Sequence, residues 1–564
     1  MTEPGPREYG AITGAESAVV SVCAFLAVPM IAAWLGDQAG LAIHPRLLLG
    51  LGVIAAVLTL AGTGRGARWA WSELAACLAA AGGVFAWLIW MAWPSLVPLG
   101  GGVDLTHHLV LVDYIERHWA LVHGSPVGMG EMAAYTPGAH ILIVLAGAWA
   151  GTDGFHATHT LLALTVALKV AFVLLITLRV LPDRVPRLPF GLAAVLLLFL
   201  PRVFFVGSFT EWSFLAQVVA ELFAVVMWWA LVVWGRPAAP RSALVVFAAA
   251  SVAVFLAWPI WVAAPLLAFG LVAIARQDMA IARRLQLVAC AAAPIAGAAV
   301  VHLAGRWGVM GIAQSGGLAV WPSAANLGWV FPLLAASGVA VLAFRRRGRP
   351  TAVFVAAIAL EAALLYGAAR ARGAGTPYHA LKMAYLAVYP LAVAGAVTLA
   401  EVWNWTAGFP ERPAAAGAHA RRIGSSLAWA STLIAAVLVA RHLAATPRPK
   451  PVVSAGLYDA GRWARAHVPP GCVDYLVASE SVAYWLHLAV MGNPRNDGNA
   501  ELEARLVPRN AMARWIEPAG LPYAVADLPV VPNDIRSQVT VLAQFGTAAV
   551  LERRGPKHCS AGTP

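Results

Sequence analysis

The chain has 564 residues, of which 60% are hydrophobic and 12% charged, with a formal net charge of +12 and a mean hydropathy of +0.73. Soluble domains carry about 25% charged residues, so a wholly soluble protein is excluded and a polytopic membrane protein is indicated. The positive balance does not point to nucleic acid, because the arginines lie in short loops between apolar runs and form no basic-aromatic array.

Runs long enough to cross about 30 Å of hydrocarbon fall near 17–36, 47–62, 74–93, 157–181, 188–206, 213–234, 242–258, 259–275, 285–304, 325–343, 351–369, 383–401 and 425–444, about thirteen spans by that criterion. The first run lacks a basic leading region and a cleavage site and reads as a retained span. Arginines cluster at 65 and 68, 184 and 187, 236 and 241, 283 and 284, 345–347, and 421 and 422. With the N-terminus inside, all six clusters face the cytoplasm, as the positive-inside rule requires. Counting the apolar stretch 137–150 as a span would break that pattern, so it reads as a re-entrant or interfacial helix.

Three regions then lie on the other side: the loop 94–156, a Gly- and Trp-rich loop 305–324, and the tail 445–564. The tail opens with the linker ATPRPKPVV. A helix over Tyr458–His467, a strand over Val473–Val477, a helix over Ser481–Met491 and a strand-like VLER follow. About 120 residues suffice for a small α/β domain with its own core. The domain division is therefore 1–444, membrane-embedded, and 445–564, soluble. Of five cysteines, Cys23, Cys77 and Cys290 fall in spans. Cys472 and Cys559 are free to bridge if the tail meets an oxidising compartment; the sequence leaves both the bridge and the free thiols open.

The first loop carries GGVDLTHHLVLVDYIERHW, residues 101–119. As a helix it places Asp104, His107, His108, Tyr114 and His118 on one side. Asp113 and Arg117 lie opposite, spaced as an i, i+4 ion pair. Leu105, Leu109, Val112 and Trp119 form an apolar stripe, interrupted by Glu116, suited to lying along a membrane surface. Asp104 alone is equally consistent with a helix cap. The pair His107 and His108, and the spacing of His156 and His159, are too few for a metal site, which needs three or four convergent ligands. MAAYTPGAH follows, with Tyr135, Pro137 and Gly138 making a turn.

Much later, ARARGAGTPYHALKMAYLAVYP places Arg370, Arg372, Tyr378, His379, Lys382 and Tyr385 on the same non-cytoplasmic side. The chain has four lysines in all, so a cation here is out of place and suggests an anionic ligand. Arginine offers a bidentate fork and lysine a point charge to phosphate oxygens; contact with lipid headgroups is the simpler alternative. Lys169, Glu221 and Glu361 fall inside spans, where charges face a cavity or one another, and Lys169 pairing with either glutamate is expected. Arg202 and Glu211, in the short outer loop PRVFFVGSFTEW, border the same cavity in this reading. No P-loop, nucleophile elbow or H-E-x-x-H is present in the sequence.

An acid in the first large external loop (VDLTHHLVLVDYI), the following AAYTPGAH, and the looser YHALKMAYL together resemble the GT-C superfamily of integral membrane glycosyltransferases. The architecture is most similar to actinobacterial arabinofuranosyltransferases. The resemblance covers the topology, while its motifs occupy a small part of the chain. It implies a multi-pass protein of a bacterial plasma membrane with an extracytoplasmic tail. It implies inverting transfer of a sugar from a polyprenyl-phosphate donor to a cell-envelope glycan or glycolipid acceptor, in contact with membrane lipid and without nucleic acid. In that scheme Asp104 is the general base. His107 and His108 orient it or the acceptor; Arg370, Arg372, Tyr378, His379 and Lys382 hold the donor phosphate; Tyr135 and Glu211 line the cavity. The neighbours of Asp104 are Val103 and Leu105, so the paired loop acids of some members are missing. That favours a mechanism with no required cofactor, though a divalent cation is compatible with the family. Two other classes fit less of the chain: a flippase of lipid-linked saccharides, and a non-enzymatic scaffold for envelope assembly.

Overall fold

The computed structural model describes residues 11–64, 67–100, 103–124, 129–183, 185–236, 240–304, 319–406, 414–446, 448–469, 471–493, 506–516, 520–554 and 559. Most of the Gly- and Trp-rich loop expected at 305–324 lies outside the described residues, as do Arg65 and Arg184.

Helices α1 (Gly14–Gln38), α2 (Pro45–Gly64) and α3 (Trp71–Ala92) precede the first loop. The loop itself holds α4 (Val103–His118) and the apolar α5 (Gly138–Ala150). There follow α6 (Gly154–Val180), α7 (Arg187–Leu197), α8 (Leu215–Trp234), α9 (Ser242–Ala257), α10 (Ala263–Ala275), α11 (Ile281–Ala304), α12 (Val330–Phe344), α13 (Arg349–Ala371), α14 (Tyr378–Thr406) and α15 (Ala414–Ala445). Among the described residues nine helices are long and apolar enough to cross a membrane, and α7, α9, α12 and the stretch 259–275 are shorter apolar helices, as is α5. The protein is thus a polytopic helical membrane protein; of the thirteen spans expected, nine meet the length criterion among the described residues. The expected span 188–206 is not one continuous helix: α7 stops at Leu197, and at about 1.5 Å per residue its 11 residues are too short to cross alone. The chain then runs through Pro201 and Gly207 as short helical turns.

α6 and α8 form the buried axis of the bundle. Their apolar residues face in all directions, as helices surrounded by protein do. One end of this axis collects basic residues: Arg179 bonds Glu16, Arg236 donates to the Arg179 carbonyl at 2.7 Å, and Arg347 meets Asp183 at 3.0 Å. Burial, then repulsion from Arg179, Arg347 and Arg187, pulls Arg236 down to about 9. The other end of α6, its 27 residues or about 40 Å away, holds α4 and the tail.

The tail contains α16 (Ala455–His467), β1 (Val473–Leu476), α17 (Glu480–Trp485), α18 (Pro508–Ile516), β2 (Tyr523–Asp527), β3 (Val539–Phe545) and β4 (Ala548–Arg553). Its sheet has the order β1-β2-β4-β3, with β1 and β2 parallel and the other two pairings antiparallel. The expected helix 481–491 is α17 continued by a π-helical turn over Leu486–Val490. Cys472 and Cys559 are bridged, with Cα atoms 5.5 Å apart, tying the end of the chain to β1. Cys290 is exposed, whereas Cys23 and Cys77 are buried.

The structure corrects two expectations about α4. The stripe of Leu105, Leu109 and Val112 is buried in protein, together with Ile115; it does not lie on a membrane surface, because α5, α6 and the tail close around the helix. Asp113 is more than a partner of Arg117 (2.9 Å). It also receives both terminal nitrogens of Arg465, at 2.7 and 3.1 Å, and lies 3.5 Å from Arg462, so it clamps the tail onto α4. A second clamp is Asp153, which caps α6 and accepts the Tyr458 hydroxyl. Tyr458 stacks on Phe155 at 4.5 Å.

Candidate active site

The first turn of α4 carries the acid. Asp104 Oδ2 lies 3.7 Å from Nε2 of His108, one turn on. Burial raises the Asp104 carboxyl, but the proximity of His108 and then the charges of Lys382 and His107 outweigh it and hold it at about 2. Its side chain is 54% accessible yet ringed by protein, the setting of a charged group at the mouth of a recess. His108 itself is buried, and its Nδ1 meets Nε2 of His140 on α5 at 2.9 Å. The two imidazoles stack at 5.1 Å. Tyr135 stands edge-on to both, at 5.0 and 5.7 Å.

The turn TPG sets this contact. Thr136 donates to the Ala257 carbonyl at 3.2 Å, and Gly138 lies so close to α9 that a Cβ would come within 2.8 Å of the Leu256 backbone. Only glycine permits that approach without displacing the backbone. His107 turns away from Asp104. Its Nδ1 lies 3.1 Å from Glu131 and its Nε2 2.7 Å from the hydroxyl of Tyr484 in the tail.

Lys382, on the first turns of α14, is 1% exposed. Its Nζ has no hydrogen-bond partner among the described residues. It sits 2.9 Å from the centre of the Phe214 ring, 5.0 Å from that of Tyr378 and 5.2 Å from that of Tyr385. Aromatic faces attract a cation but offer no counter-charge, and Asp104 is the first acid whose field Lys382 feels. Tyr378 is half-buried and also lies in the field of Asp104. His379 packs beside Tyr378, with ring centres 5.1 Å apart.

The remaining expected residues are placed less centrally. Arg370 is exposed, with its guanidinium 5.7 Å from the Tyr366 ring, and Arg372 is exposed at the end of α13; no contact joins either to Asp104 or Lys382. Glu211 pairs with Arg202 at 3.3 Å. Sequence reasoning passed over His140, Phe214 and Tyr484. His140 carried a signal, an imidazole opening an apolar helix directly after TPGA, whereas Phe214 and Tyr484 are indistinguishable by pattern from packing residues. Among the described residues no three His, Cys, Asp or Glu side chains converge as a metal set, and Asp104 has His108 beside it.

A cavity of about 560 Å³ opens between α3, α7 and α15, lined by apolar groups such as Val84, Trp87, Leu192, Phe199 and Leu443. At its end nearest the tail, the Arg448 guanidinium lies 3.8 Å over the Trp90 ring. Phe199 links this groove to the recess through Phe205 at 5.3 Å and, beyond it, Tyr389 at 6.1 Å, one turn past Tyr385.

No family model matches the chain, and no curated protein matches it in sequence. Several solved structures are similar in overall arrangement. ArnT from Cupriavidus metallidurans, bound to undecaprenyl phosphate, is 12% identical over 86% of this chain and 100% of its own, with a TM-score of 0.47. The Archaeoglobus fulgidus oligosaccharyltransferase is 14% identical over 80% of this chain and 68% of its own, at 0.45. The arabinofuranosyltransferase AftD from mycobacteria is 15% identical over 86% of this chain and 40% of its own, at 0.46. The residues of the recess, and not these likenesses, carry the functional reading.

Proposed function

We propose that the chain is an inverting membrane glycosyltransferase that takes a sugar from a polyprenyl-phosphate donor and passes it to a cell-envelope glycan or glycolipid on the non-cytoplasmic face. One observation supports the reading: an ionised carboxylate lies within electrostatic reach of a buried lysine that is packed against aromatic rings and has no hydrogen-bond partner among the described residues. The end opposite the recess holds Arg179, Arg236 and Arg347, which the positive-inside rule assigns to the cytoplasm.

In this reaction the acceptor hydroxyl attacks the anomeric carbon from the face opposite the phosphate. Asp104 takes the hydroxyl proton as the new C–O bond forms. The bond from the anomeric carbon to the phosphate oxygen breaks, and the polyprenyl phosphate leaves with the electron pair. Lys382 stabilises the charge that develops there, most strongly because it is already desolvated. Phosphate binding also offsets the Lys382 charge that helps to hold Asp104 down, so the bound donor makes Asp104 a stronger base. The apolar groove at Trp87 and Phe199 suits the isoprenoid chain, with Arg448 and Trp90 at its headgroup end.

The test is transfer by purified protein given polyprenyl-phosphate sugars and an acceptor glycan. Asp104→Asn is expected to abolish transfer while donor binding persists; wild-type-like transfer by that variant rejects the base. A flippase would use Lys382 equally well but has no role for Asp104, so undiminished lipid transit by Asp104→Asn, with no transfer by the wild type, would establish that alternative.

A further inference from the structure

We infer that the end of the bundle opposite the recess binds a phosphate group, carried by an anionic lipid headgroup or supplied as free phosphate, in a space walled by Arg179, Arg187, Arg236 and Arg347. Among the described residues this space is about 100 Å³, and Glu16 and Glu73 also line it. A single water needs roughly 10–15 Å³ of such room, so a group of several heavy atoms fits. The site lies at the far end of α6, whose 27 residues span about 40 Å, and it is independent of the transfer reaction.

The arginines arrive from separate places in the sequence. Arg179 is in the last turn of α6, Arg187 opens α7, Arg236 follows α8, and Arg347 lies between α12 and α13. Against these four guanidinium groups the described residues set three carboxylates. Glu16 is bound by Arg179 and by the Trp229 indole, and Asp183 is shared by Arg187 and Arg347. Glu16 and Glu73 stand in the first turns of α1 and α3, where the positive helix ends take up part of their charge. Four cations against three anions leave one positive charge among these residues. Arg236 registers the crowding: burial, then repulsion from Arg179, Arg347 and Arg187, lowers it to about 9. An anion placed among the four offsets that repulsion. A guanidinium carries five N–H donors, so a partner already in place, such as the Arg179 carbonyl for Arg236 at 2.7 Å, does not exclude a phosphate oxygen. The planar fork of arginine matches phosphate geometry, and basic pockets between membrane helices at the cytoplasmic face hold lipid phosphates.

The test is binding of radiolabelled inorganic phosphate to the full-length protein in a maltoside detergent, which carries no phosphate, at fixed ionic strength. Wild type is expected to bind saturably. R236Q and R347Q should each weaken binding at least about tenfold, and R347K, which keeps the charge without the fork, should lose less than R347Q. E73Q removes an acid from the same space and should not weaken it. K382M, at the recess, should leave it unchanged, which keeps a failure here separate from a failure of the transfer reaction. Native mass spectrometry of protein released from bilayers of phosphatidylcholine and phosphatidylglycerol decides the source. A phosphatidylglycerol retained by wild type and lost in R236Q and R347Q is the headgroup; phosphate binding without such retention is the free ion. Should the arginine variants fail to fold, the unfolding temperature of wild type and of K382M should still rise with phosphate and not with chloride. No saturable phosphate and no selectively retained lipid, equal affinities in wild type, R236Q and R347Q, an equal loss in E73Q, or loss in K382M alone overturns the inference.

Discussion

Two lysines are buried in the same bundle and live in opposite surroundings. Lys169, on α6, is bonded to Glu221, which also accepts from Tyr389 at 2.7 Å and from Gln217 at 3.2 Å. Lys169 and Glu221 are each paired within the protein, so their charges cancel locally; of the cluster's polar atoms, Gln217 Oε1 lacks a hydrogen-bond partner among the described residues. Lys382 has aromatic rings on its sides and no hydrogen-bond partner among the described residues. Burying an ammonium is costly unless it is paired, and under the proposed function the donor phosphate is the partner that Lys382 lacks within the described residues. Both lysines are buried, so burial alone does not distinguish them; the presence or absence of an internal partner does.

The largest effect is expected at the acid that Lys382 faces: Asp104→Asn should lower transfer by about 10²–10⁴-fold, measured with saturating donor. The Asp104 charge persists well into acid. Its carboxyl value is lowered from 3.8 to about 2, so its contribution to stability is complete above the ordinary value and is lost as pH falls through about 2. Lys169→Met strands Glu221 and should destabilise the protein by about 3–5 kcal/mol, read from thermal unfolding in detergent; adding Glu221→Gln should restore most of it. Lys382→Met should do the reverse, leaving the unfolding temperature unchanged or higher while transfer falls about 10²–10³-fold. If Lys382→Met instead destabilises as Lys169→Met does, the contrast between the two lysines is void.

A smaller effect is expected where the tail is clamped. Asp113→Ala should cost about 1.5–3 kcal/mol of docking, seen as faster proteolysis between α15 and α16. The smallest belongs to the exposed pair: Arg370→Ala and Arg372→Ala should shift stability by less than about 0.5 kcal/mol and transfer by less than about threefold. A hundredfold loss there would return the donor phosphate to these arginines.

Much of this was legible from local pattern. The apolar runs revealed the membrane helices, because a spanning segment must satisfy its backbone internally and expose apolar groups whatever its neighbours are. The charge pattern singled out Asp104 and Lys382, since charges are rare in such a chain. The i, i+4 spacing gave Asp113 with Arg117 and placed Asp104 beside His108. Where helices break was not legible: α7 ends early because the aromatic segment 198–214 folds back into the bundle, which hydropathy scores like a span.

Composition and periodicity determined that the chain crosses a membrane many times, ends in a small mixed domain, and gathers its unusual charges in two segments far apart in sequence. Those are properties of single segments, fixed by the solvent each must face. Only the tertiary structure decided that Lys169 is neutralised and Lys382 is not, that His140 stands behind His108, and that Asp113 binds the tail more than its own helix. Each of these depends on which side chain arrives from a distant element, 52 residues away for Lys169 and Glu221 and 352 for Asp113 and Arg465. Packing makes those contacts, and no local spacing encodes them.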